Sequence, residues 1–390
     1  MMRHTLFSLV LSTLLLLMGC TPMDTIEIAP VYYKVLQSGD TDFSDIKKFN
    51  PILEDFSSLL FFLDKSISIR ITALEYDTVD PFGQPIRASG LVLHPLNKKS
   101  KGVIEVLPHA RIGGEGASAE FYSAEGLLAF SGYTVIVPDL LGFGVSREAV
   151  RSPFLMSEIT GKVAYDMRLA AIRFLWEEFK YALPSQTILM GYSLGGSAAV
   201  ATQKYYETNH SNAVKVKEVY AGGGAYDLNA AFSAYARDEF STYPAIPNTI
   251  LAFNHFYNLD LDFSQIFTGT LLENYDAWYN GVINTRFLEN LSLNLRDYMH
   301  EDFFKPFNLQ NEEFKKLHPL LTLNSVSQGW RPKATIYLTH ATEDTHVPVE
   351  CADAAVKNWR RAGANVVYYR YPGHHESVAS VYFLRNLLSF

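Results

Sequence analysis

A serine between glycines is the residue of this sequence best suited to covalent chemistry. Ser193 lies in the segment GYSLGG at 191–196, between an apolar run at 187–190 and a run of small residues at 197–201. A strand, a tight turn and a helix in this order are typical of a nucleophile elbow, which holds a serine hydroxyl out at the carboxyl end of a sheet. The N–H of Leu194 would point at the same spot and could stabilise an oxyanion formed there.

Taken alone, this segment also allows two simpler explanations of its glycines. They could serve close packing of a turn, or they could form a phosphate-binding loop. G-x-S-x-G is short enough to arise by chance in a chain of this length. No lysine follows the glycines, which disfavours a Walker-type phosphate loop. The flanking pattern favours a nucleophile, and partners for it further along the chain would decide the matter.

Candidate partners for the serine follow two later apolar runs. A serine hydroxyl is a poor nucleophile at neutral pH and needs a base that an acid orients. Asp344 follows the run at 334–338, and His374 and His375 follow the last apolar run. The order serine, aspartate, histidine, each after a predicted strand, brings these groups to one edge of a sheet. We predict Ser193 as nucleophile, Asp344 as acid and one of the two histidines as base.

Other residues give weaker candidates for chemistry. Asp227 also follows a predicted strand and rivals Asp344 as the acid, although a carboxylate there more often caps a helix. His340, Asp344 and His346 are spaced by four and two, but no further ligand cluster accompanies them, so we predict no metal and no cofactor. We interpret Cys351 as an apolar filler of a helix.

Composition limits the class of protein and its partners. The chain has 390 residues, of which 48% are apolar, and a formal net charge of −8. This is enough apolar material for one large domain, or for one domain with an insertion. Because no basic run or stripe occurs in the sequence, nucleic acid is not expected as a partner.

The elements that must position these residues alternate along the chain. Between 66 and 224, a hairpin with its turn at 80–85 is followed by apolar runs that alternate with helical segments. This pattern predicts a mainly parallel α/β sheet with helices on both faces. The rhythm breaks at 225–326, a helical stretch rich in aromatic residues, and returns at 327–390. We predict that this stretch has its own small core and also covers the site, because an insertion after a parallel strand lies at the ligand-binding edge of the sheet.

The first residues differ from the rest of the chain. An apolar run at 6–18 follows Arg3, and Cys20 comes two residues after its end, which suits a signal peptide over residues 1–19. The end of this run resembles a bacterial lipobox, which implies lipidation of Cys20 and a lipid anchor at the cell envelope, on the outer membrane or the periplasmic face. A plain secretory signal with a chance cysteine is the alternative. We expect residues 20–65 to form a tether and lead-in helices.

The sequence resembles the α/β-hydrolase family in four segments, and most closely its secreted lipases and esterases with a helical lid. The segments are GYSLGG, PDLLGFGVS at 138–146, HATEDTHVP at 340–348 and the Gly-His loop before the last helix. The resemblance implies the α/β-hydrolase fold, with a helical lid inserted after the sixth strand.

The same resemblance implies roles for individual residues. It favours His375 over His374 as the base, since His375-Glu376-Ser377 resembles the His-x-Ser/Thr of this group. It places the second oxyanion N–H on Ala110 or Arg111, where His109-Ala110 stands in place of His-Gly. Tyr192 and His109 are then expected to contact substrate.

The function expected from these features is hydrolysis of carboxylic esters through an acyl-enzyme. An aromatic lid favours apolar groups and therefore a lipase or carboxylesterase acting on small-molecule or lipid esters. An acetyl or feruloyl esterase acting on polysaccharides is the alternative, because aromatic side chains also stack on sugars. A hydrolase fold that only binds, without catalysis, is a further alternative.

Overall fold

The computed structural model describes residues 31–49, 63–110, 116–119, 121–122, 124–278 and 291–390. Within them, residues from Val31 onward belong to one compact unit. The proposed signal peptide, Cys20 and Arg111 lie outside the described residues, so the predictions for them stay predictions.

A nine-stranded sheet runs through the described part of the chain in the order β1-β2-β3-β5-β4-β6-β7-β8-β9. The first three pairings from the β1 edge are antiparallel, and the pairings from β5 to β9 are parallel. The strands are β1 Tyr33–Asp42, β2 Ser68–Val79, β3 Pro85–Pro95, β4 Val103–Leu107, β5 Thr134–Pro138, β6 Gln186–Tyr192, β7 Lys215–Gly222, β8 Thr335–Ala341 and β9 Val366–Tyr371.

Helices cover both faces of this sheet, as the sequence predicts. Strands β4 and β5 are buried along their whole length, which explains why they are continuous apolar runs without alternation. The helices of the core are α1 Ser157–Phe179, α2 Leu194–Asn209, α7 Val349–Arg361 and α8 His375–Leu387. Two apolar clusters include α1, α2 and α7, and a different cluster includes Tyr382 of α8, so α8 packs on the opposite face from these helices.

The insertion lies between β7 and β8 and is helical. Its α-helices are α3 Leu228–Asp238, α4 Ala245–Tyr257, α5 Gly269–Trp278 and α6 Glu312–Asn324, joined by short 3₁₀ segments. We call this insertion the cap. Buried Phe253 and Phe314 of the cap share one apolar cluster with Met167 and Phe174 of α1, so the cap packs on the core through a common interior.

One element differs from the prediction. Residues 33–42, expected within a tether and lead-in helices, form the edge strand β1, which pairs antiparallel with β2. Most of its side chains are exposed, so its own sequence carries little of the apolar alternation that indicates a strand. An ion pair between Asp40 and Arg70 also links it to β2. The cap therefore follows the seventh strand of the sheet, which is the sixth of those predicted.

No helix of the described residues combines the length and apolar character needed to cross a bilayer.

Candidate active site

Ser193 occupies the sharp turn between β6 and α2. Its backbone has φ 58° and ψ −127°, a conformation that residues other than glycine rarely adopt. The turn is held in place because the N–H of Ser193 donates a 2.8 Å hydrogen bond to the carbonyl of Gly222, at the end of β7. Two glycines permit this close approach: a Cβ on Gly191 would lie 2.1 Å from the carbonyl oxygen of Gly195, and one on Gly195 would lie 2.1 Å from that of Leu107.

Two predicted oxyanion donors lie beside this serine. Leu194 is the first residue of α2, so its N–H has no acceptor within the helix and is available to a ligand. Ala110, on the loop after β4, lines the same cavity as Ser193 and Leu194. This brings a helix N-terminus and a loop from the neighbouring strand to one point, an arrangement that suits an anion.

Asp344 and His375 meet at the ends of β8 and β9. Asp344 Oδ2 accepts a 2.7 Å hydrogen bond from His375 Nδ1, and both side chains are buried. Asp344 Oδ1 accepts the backbone N–H groups of His346 at 3.0 Å and Val347 at 2.8 Å. These donors fix the carboxylate, and the carboxylate in turn fixes the ring of His375 with its proton on Nδ1.

The pKa of Asp344 follows from this balance. Burial alone would raise it, but the hydrogen bond from His375 and the other nearby donors outweigh burial and hold the pKa of Asp344 below its ordinary value. Asp344 is therefore ionised at neutral pH and can stabilise a positive charge on His375.

His374 points away from this group. Its Nδ1 lies 2.9 Å from the carbonyl oxygen of Glu343, and its side chain is 65% exposed. Its backbone N–H donates to Ser377 Oγ at the start of α8. Of the two adjacent histidines, the one that contacts Asp344 is His375.

Ser193 and His375 are connected through Tyr192. The ring of His375 packs on the ring of Tyr192, with centroids 5.1 Å apart, and Ser193 is the next residue in the chain. A Cβ built on Gly223 would lie 3.0 Å from Cε1 of His375, and the preceding Gly222 binds the N–H of Ser193. Among the described residues, no hydrogen bond joins Ser193 Oγ to His374 or His375, and His375 Nε2 forms none.

Tyr192 and His109, expected to contact substrate, lie elsewhere. Tyr192, the last residue of β6, does not line the cavity, and its ring packs on Tyr382 and is 4% exposed. Its hydroxyl donates a 2.6 Å hydrogen bond to the carbonyl of His375. His109 is half exposed, with Nδ1 3.7 Å from Glu125, and does not line the cavity that holds Ser193. The structure therefore assigns Tyr192 to support of His375.

The rival acid and the possible metal ligands have other partners. Asp227 caps α3, since its Oδ1 accepts the N–H of Ala230 at 3.0 Å and its Oδ2 accepts the hydroxyl of Ser327 at 2.7 Å. His340 is buried, and its Nε2 donates to the carbonyl of Val347. Within the described ranges, no group of three potential metal ligands occurs.

A cavity of about 500 Å³, counted to its open mouth, lies above Ser193 between core and cap. Its walls are mostly apolar, and the titratable groups that line it in the described part of the chain are the imidazole of His346 and two tyrosines. The core provides Ala110, Phe154, Leu155, Ser193, Leu194, Ser197, His346 and Val347, and the cap provides Ala225, Leu228, Ala231, Phe232, Tyr235, Tyr243, Ala245 and Thr249. Phe154, Leu155 and His346 are not predictable as lining residues from the sequence, because no strand or motif marks the first two and the spacing of the third suggests only a metal ligand.

Comparisons with known proteins agree with this fold. A family model described as alpha/beta hydrolase family matches residues 106–382. A hydrolase of Legionella pneumophila, described as putative in its name, superposes with a TM-score of 0.76 at 19% identity, over 92% of this chain and 96% of that one. The rice cell wall degrading esterase LipA of Xanthomonas oryzae superposes with a TM-score of 0.74 at 22% identity, over 91% of this chain and 96% of that one. Lipase A of Candida antarctica superposes with a TM-score of 0.59 at 16% identity, over 88% of this chain and 77% of that one. A search of curated proteins found no match.

Proposed function

The chain belongs to the alpha/beta hydrolase family, and we propose that it is a serine hydrolase that cleaves carboxylic esters. The observation that carries this proposal is the 2.7 Å hydrogen bond between Asp344 and His375 at the sheet edge where Ser193 occupies its elbow. Ser193 is the nucleophile, His375 the base and Asp344 the acid that orients it.

The proposed reaction runs in two steps. As Ser193 Oγ attacks the ester carbonyl, its proton passes to Nε2 of His375, whose positive charge the ionised Asp344 stabilises. The oxyanion binds the N–H of Leu194 and an N–H of the loop that carries Ala110. His375 then protonates the leaving alcohol, and water activated by the same histidine releases the acid and restores Ser193.

The cavity supports an apolar acyl or alcohol group as the main recognised part of the substrate. Among the described residues that line it, none is a lysine, arginine, aspartate or glutamate, so a charged group placed against them would lose its hydration without compensation. This favours a lipase or carboxylesterase acting on uncharged esters.

A second candidate is an acetyl or feruloyl esterase acting on polysaccharides. One observation favours an aromatic acyl group: Phe154 and Tyr243 line the cavity from core and cap, with ring centroids 6.3 Å apart and planes 30° apart. Such a pair offers flat surfaces for a third ring. The esterase of Xanthomonas oryzae named above is described as rice cell wall degrading, but at 22% identity the similarity concerns the fold.

The experiment that tests the function combines active-site labelling with rates on nitrophenyl esters. We expect a fluorophosphonate probe to label the protein at Ser193, and Ser193→Ala to abolish labelling and reduce kcat about a millionfold. We expect about a ten-thousandfold loss for Asp344→Asn. His375→Ala should be inactive, while His374→Ala, its matched neighbour, should keep its rate.

Two results would decide against this function. A folded protein that takes up no probe and cleaves no ester would favour a binding protein with a hydrolase fold. Activity retained in Ser193→Ala would remove the proposed mechanism. A chain-length series of nitrophenyl esters, run beside acetylated and feruloylated glycans, separates the two substrate classes.

We further propose that the protein is lipid-anchored at the cell envelope through Cys20. The support is the apolar run at 6–18, which Gly19 and this cysteine follow directly. In bacterial cells, radiolabelled palmitate should be incorporated into the wild-type protein and not into Cys20→Ser. Equal incorporation into both would exclude Cys20 as the lipidated residue.

A further inference from the structure

We propose that His346 is a positioning residue for the base, a neutral imidazole that packs on the ring of His375 and connects it to the cap. The inference rests on the proposed function, because it takes His375 as the base. It concerns a residue outside the serine, histidine and aspartate to which the reaction was assigned above.

The contact between the two imidazoles is a parallel stack. The ring centroids of His346 and His375 lie 4.8 Å apart with planes at 12°. Asp344 fixes one edge of the His375 ring and Tyr192 fixes its backbone carbonyl, while His346 covers a face. Removing His346 would leave that face open to the cavity, so the ring could turn about its bond to the main chain.

The hydrogen bonds of His346 fit a neutral ring. Its Nε2 lies 3.2 Å from a carboxylate oxygen of Glu376, which can only accept, so Nε2 carries the proton. Its Nδ1 lies 2.9 Å from the hydroxyl of Thr242, which can donate to it. Burial, and next the proximity of His375, lower the pKa of His346, while Glu376 and Asp344 act in the opposite direction.

Three residues of the cap contact this loop. The hydroxyl of Tyr235 donates a 2.5 Å hydrogen bond to the carbonyl of His346, and the N–H of Thr242 donates to the carbonyl of Thr345 at 3.1 Å. The ring of Tyr243 stacks on that of His346, with centroids 6.2 Å apart and planes at 21°. His346 is therefore the point at which the cap, the acid loop and the base meet.

The charge on His346 matters for the proton transfer. When Ser193 attacks, His375 becomes positively charged, and a second positive charge on a stacked ring would oppose that step. The titratable groups around His346 are Asp344 on its own loop, His375 and Glu376 on α8, and Tyr235 and Tyr243 of the cap. Glu376 and Asp344 would offset part of a positive charge on His346, and the remainder would act on the stacked ring of His375.

The test compares His346→Phe with His346→Ala in the full chain, by kcat, KM and the pH profile of kcat/KM on a nitrophenyl ester. His375 must be unprotonated to act as the base, and a proton on His346 would oppose the charging of His375. In a plot of log kcat/KM against pH, we therefore expect the slope on the acid side of the wild-type profile to approach two. In both variants it should fall to one. Phenylalanine keeps a ring in the stack, so His346→Phe should lose less kcat than His346→Ala, for which we expect a loss of about 10- to 100-fold.

The control is His374→Ala, which removes an exposed histidine next to the base and should keep the wild-type profile. An acid limb of slope one in the wild type, or variants with the wild-type profile and kcat, would overturn the role of His346. If His346→Ala does not fold, the profile of His346→Phe decides alone. Labelling of Ser193 by a fluorophosphonate separates the proposals, because a labelled, Ser193-dependent enzyme with an unchanged His346 profile refutes only this one.

Discussion

Single buried ionisable residues in this protein differ in charge because their partners differ. Asp344 stays ionised although it is buried, because a histidine and two backbone N–H groups donate to it. His94, on β3, has a hydroxyl as partner: its Nδ1 lies 2.9 Å from Thr134 Oγ1, and it packs between Phe179 and Tyr181. No charge compensates its burial, which lowers the pKa of His94 from 6.5 to about 4.

His94 should therefore make folding sensitive to mild acid. The unfolded chain binds a proton at this site below pH 6.5 and the folded chain only near pH 4, so stability is complete above 6.5 and falls as the pH decreases through this window. Between pH 7 and pH 5 the loss is about 2 kcal/mol. Urea unfolding of the wild type should show this loss in the free energy of unfolding. In His94→Phe, the change in the free energy of unfolding between pH 7 and pH 5 should be smaller by about 2 kcal/mol.

The control for His94 is His374→Ala, since His374 is exposed. The free energy of unfolding of His374→Ala should change with pH as that of the wild type does. If His94→Phe and the wild type lose the same stability between pH 7 and pH 5, His94 is protonated in the folded protein and this interpretation is wrong.

At the scale of single residues, the sequence predicts the types of group better than their contacts. Ser193, Asp344 and the two histidines follow from chain order and from the ends of strands. Which histidine contacts Asp344 depends on the first turn of α8, where His374 faces outward and His375 inward. Tyr192 was misplaced because the sequence does not state on which side of β6 its side chain lies.

Among the elements, one buried aspartate connects strand β3 with the loops that follow β4 and β5. Asp139, after β5, accepts hydrogen bonds from the hydroxyls of Ser89 on β3, at 2.6 Å, and of Ser118 on the loop after β4. Gly116 and Gly144 let these loops close around it, because a Cβ on either would lie within 2.4 Å of its carboxylate. Burial raises the pKa of Asp139 despite these bonds.

Because Ser118 lies eight residues after Ala110, we expect Asp139 to hold the loop that provides an oxyanion N–H. Asp139→Asn replaces an accepting oxygen by an NH₂ group, so one hydroxyl or N–H loses its acceptor at a cost of about 1 to 3 kcal/mol. We expect lower stability and also a lower kcat, measured by thermal unfolding and by ester hydrolysis.

Asp166→Asn is a matched control for Asp139→Asn. Asp166, on α1, is also buried and bonded to a hydroxyl, that of Thr78 at 2.7 Å, but lies away from this loop. It should lose stability and keep its kcat. Equal effects of both variants on kcat would show that Asp139 has no special connection to catalysis.

The elements themselves differ in how far the sequence predicts them. Strands β4 and β5 and helix α1 follow from continuous or periodic apolar residues, because burial on the parallel sheet requires that pattern. Strand β1 does not, because its hydrogen bonds to β2 hold it rather than burial of its own side chains. Its existence depends on a partner strand distant in the sequence.

For the molecule as a whole, the position of the cap is readable from the sequence, whereas its packing is not. The break in the alternation after β7 marks where the cap begins. That its helices share one apolar cluster with α1 depends on packing between residues far apart in the chain, since Met167 and Phe253 both belong to this cluster. The cavity above Ser193 is formed by both parts, so the geometry of the site depends on their joint stability.

If cap and core share one interior, a cavity made inside the cap should destabilise the whole protein. Leu271 of α5 is 0% exposed and belongs to the shared cluster, whereas Leu309, also in the cap, is 63% exposed. Leu271→Ala should lower the free energy of unfolding by about 2 to 5 kcal/mol, and Leu309→Ala by no more than about 0.5 kcal/mol. Hydrogen exchange read by peptide should show that Leu271→Ala lowers the protection of β4–β6 together with that of the cap, in one cooperative unit. Loss of protection confined to residues 228–324, with the strands unaffected, would instead mean that the cap opens by itself, and the cavity above Ser193 could then form and disappear without unfolding of the sheet.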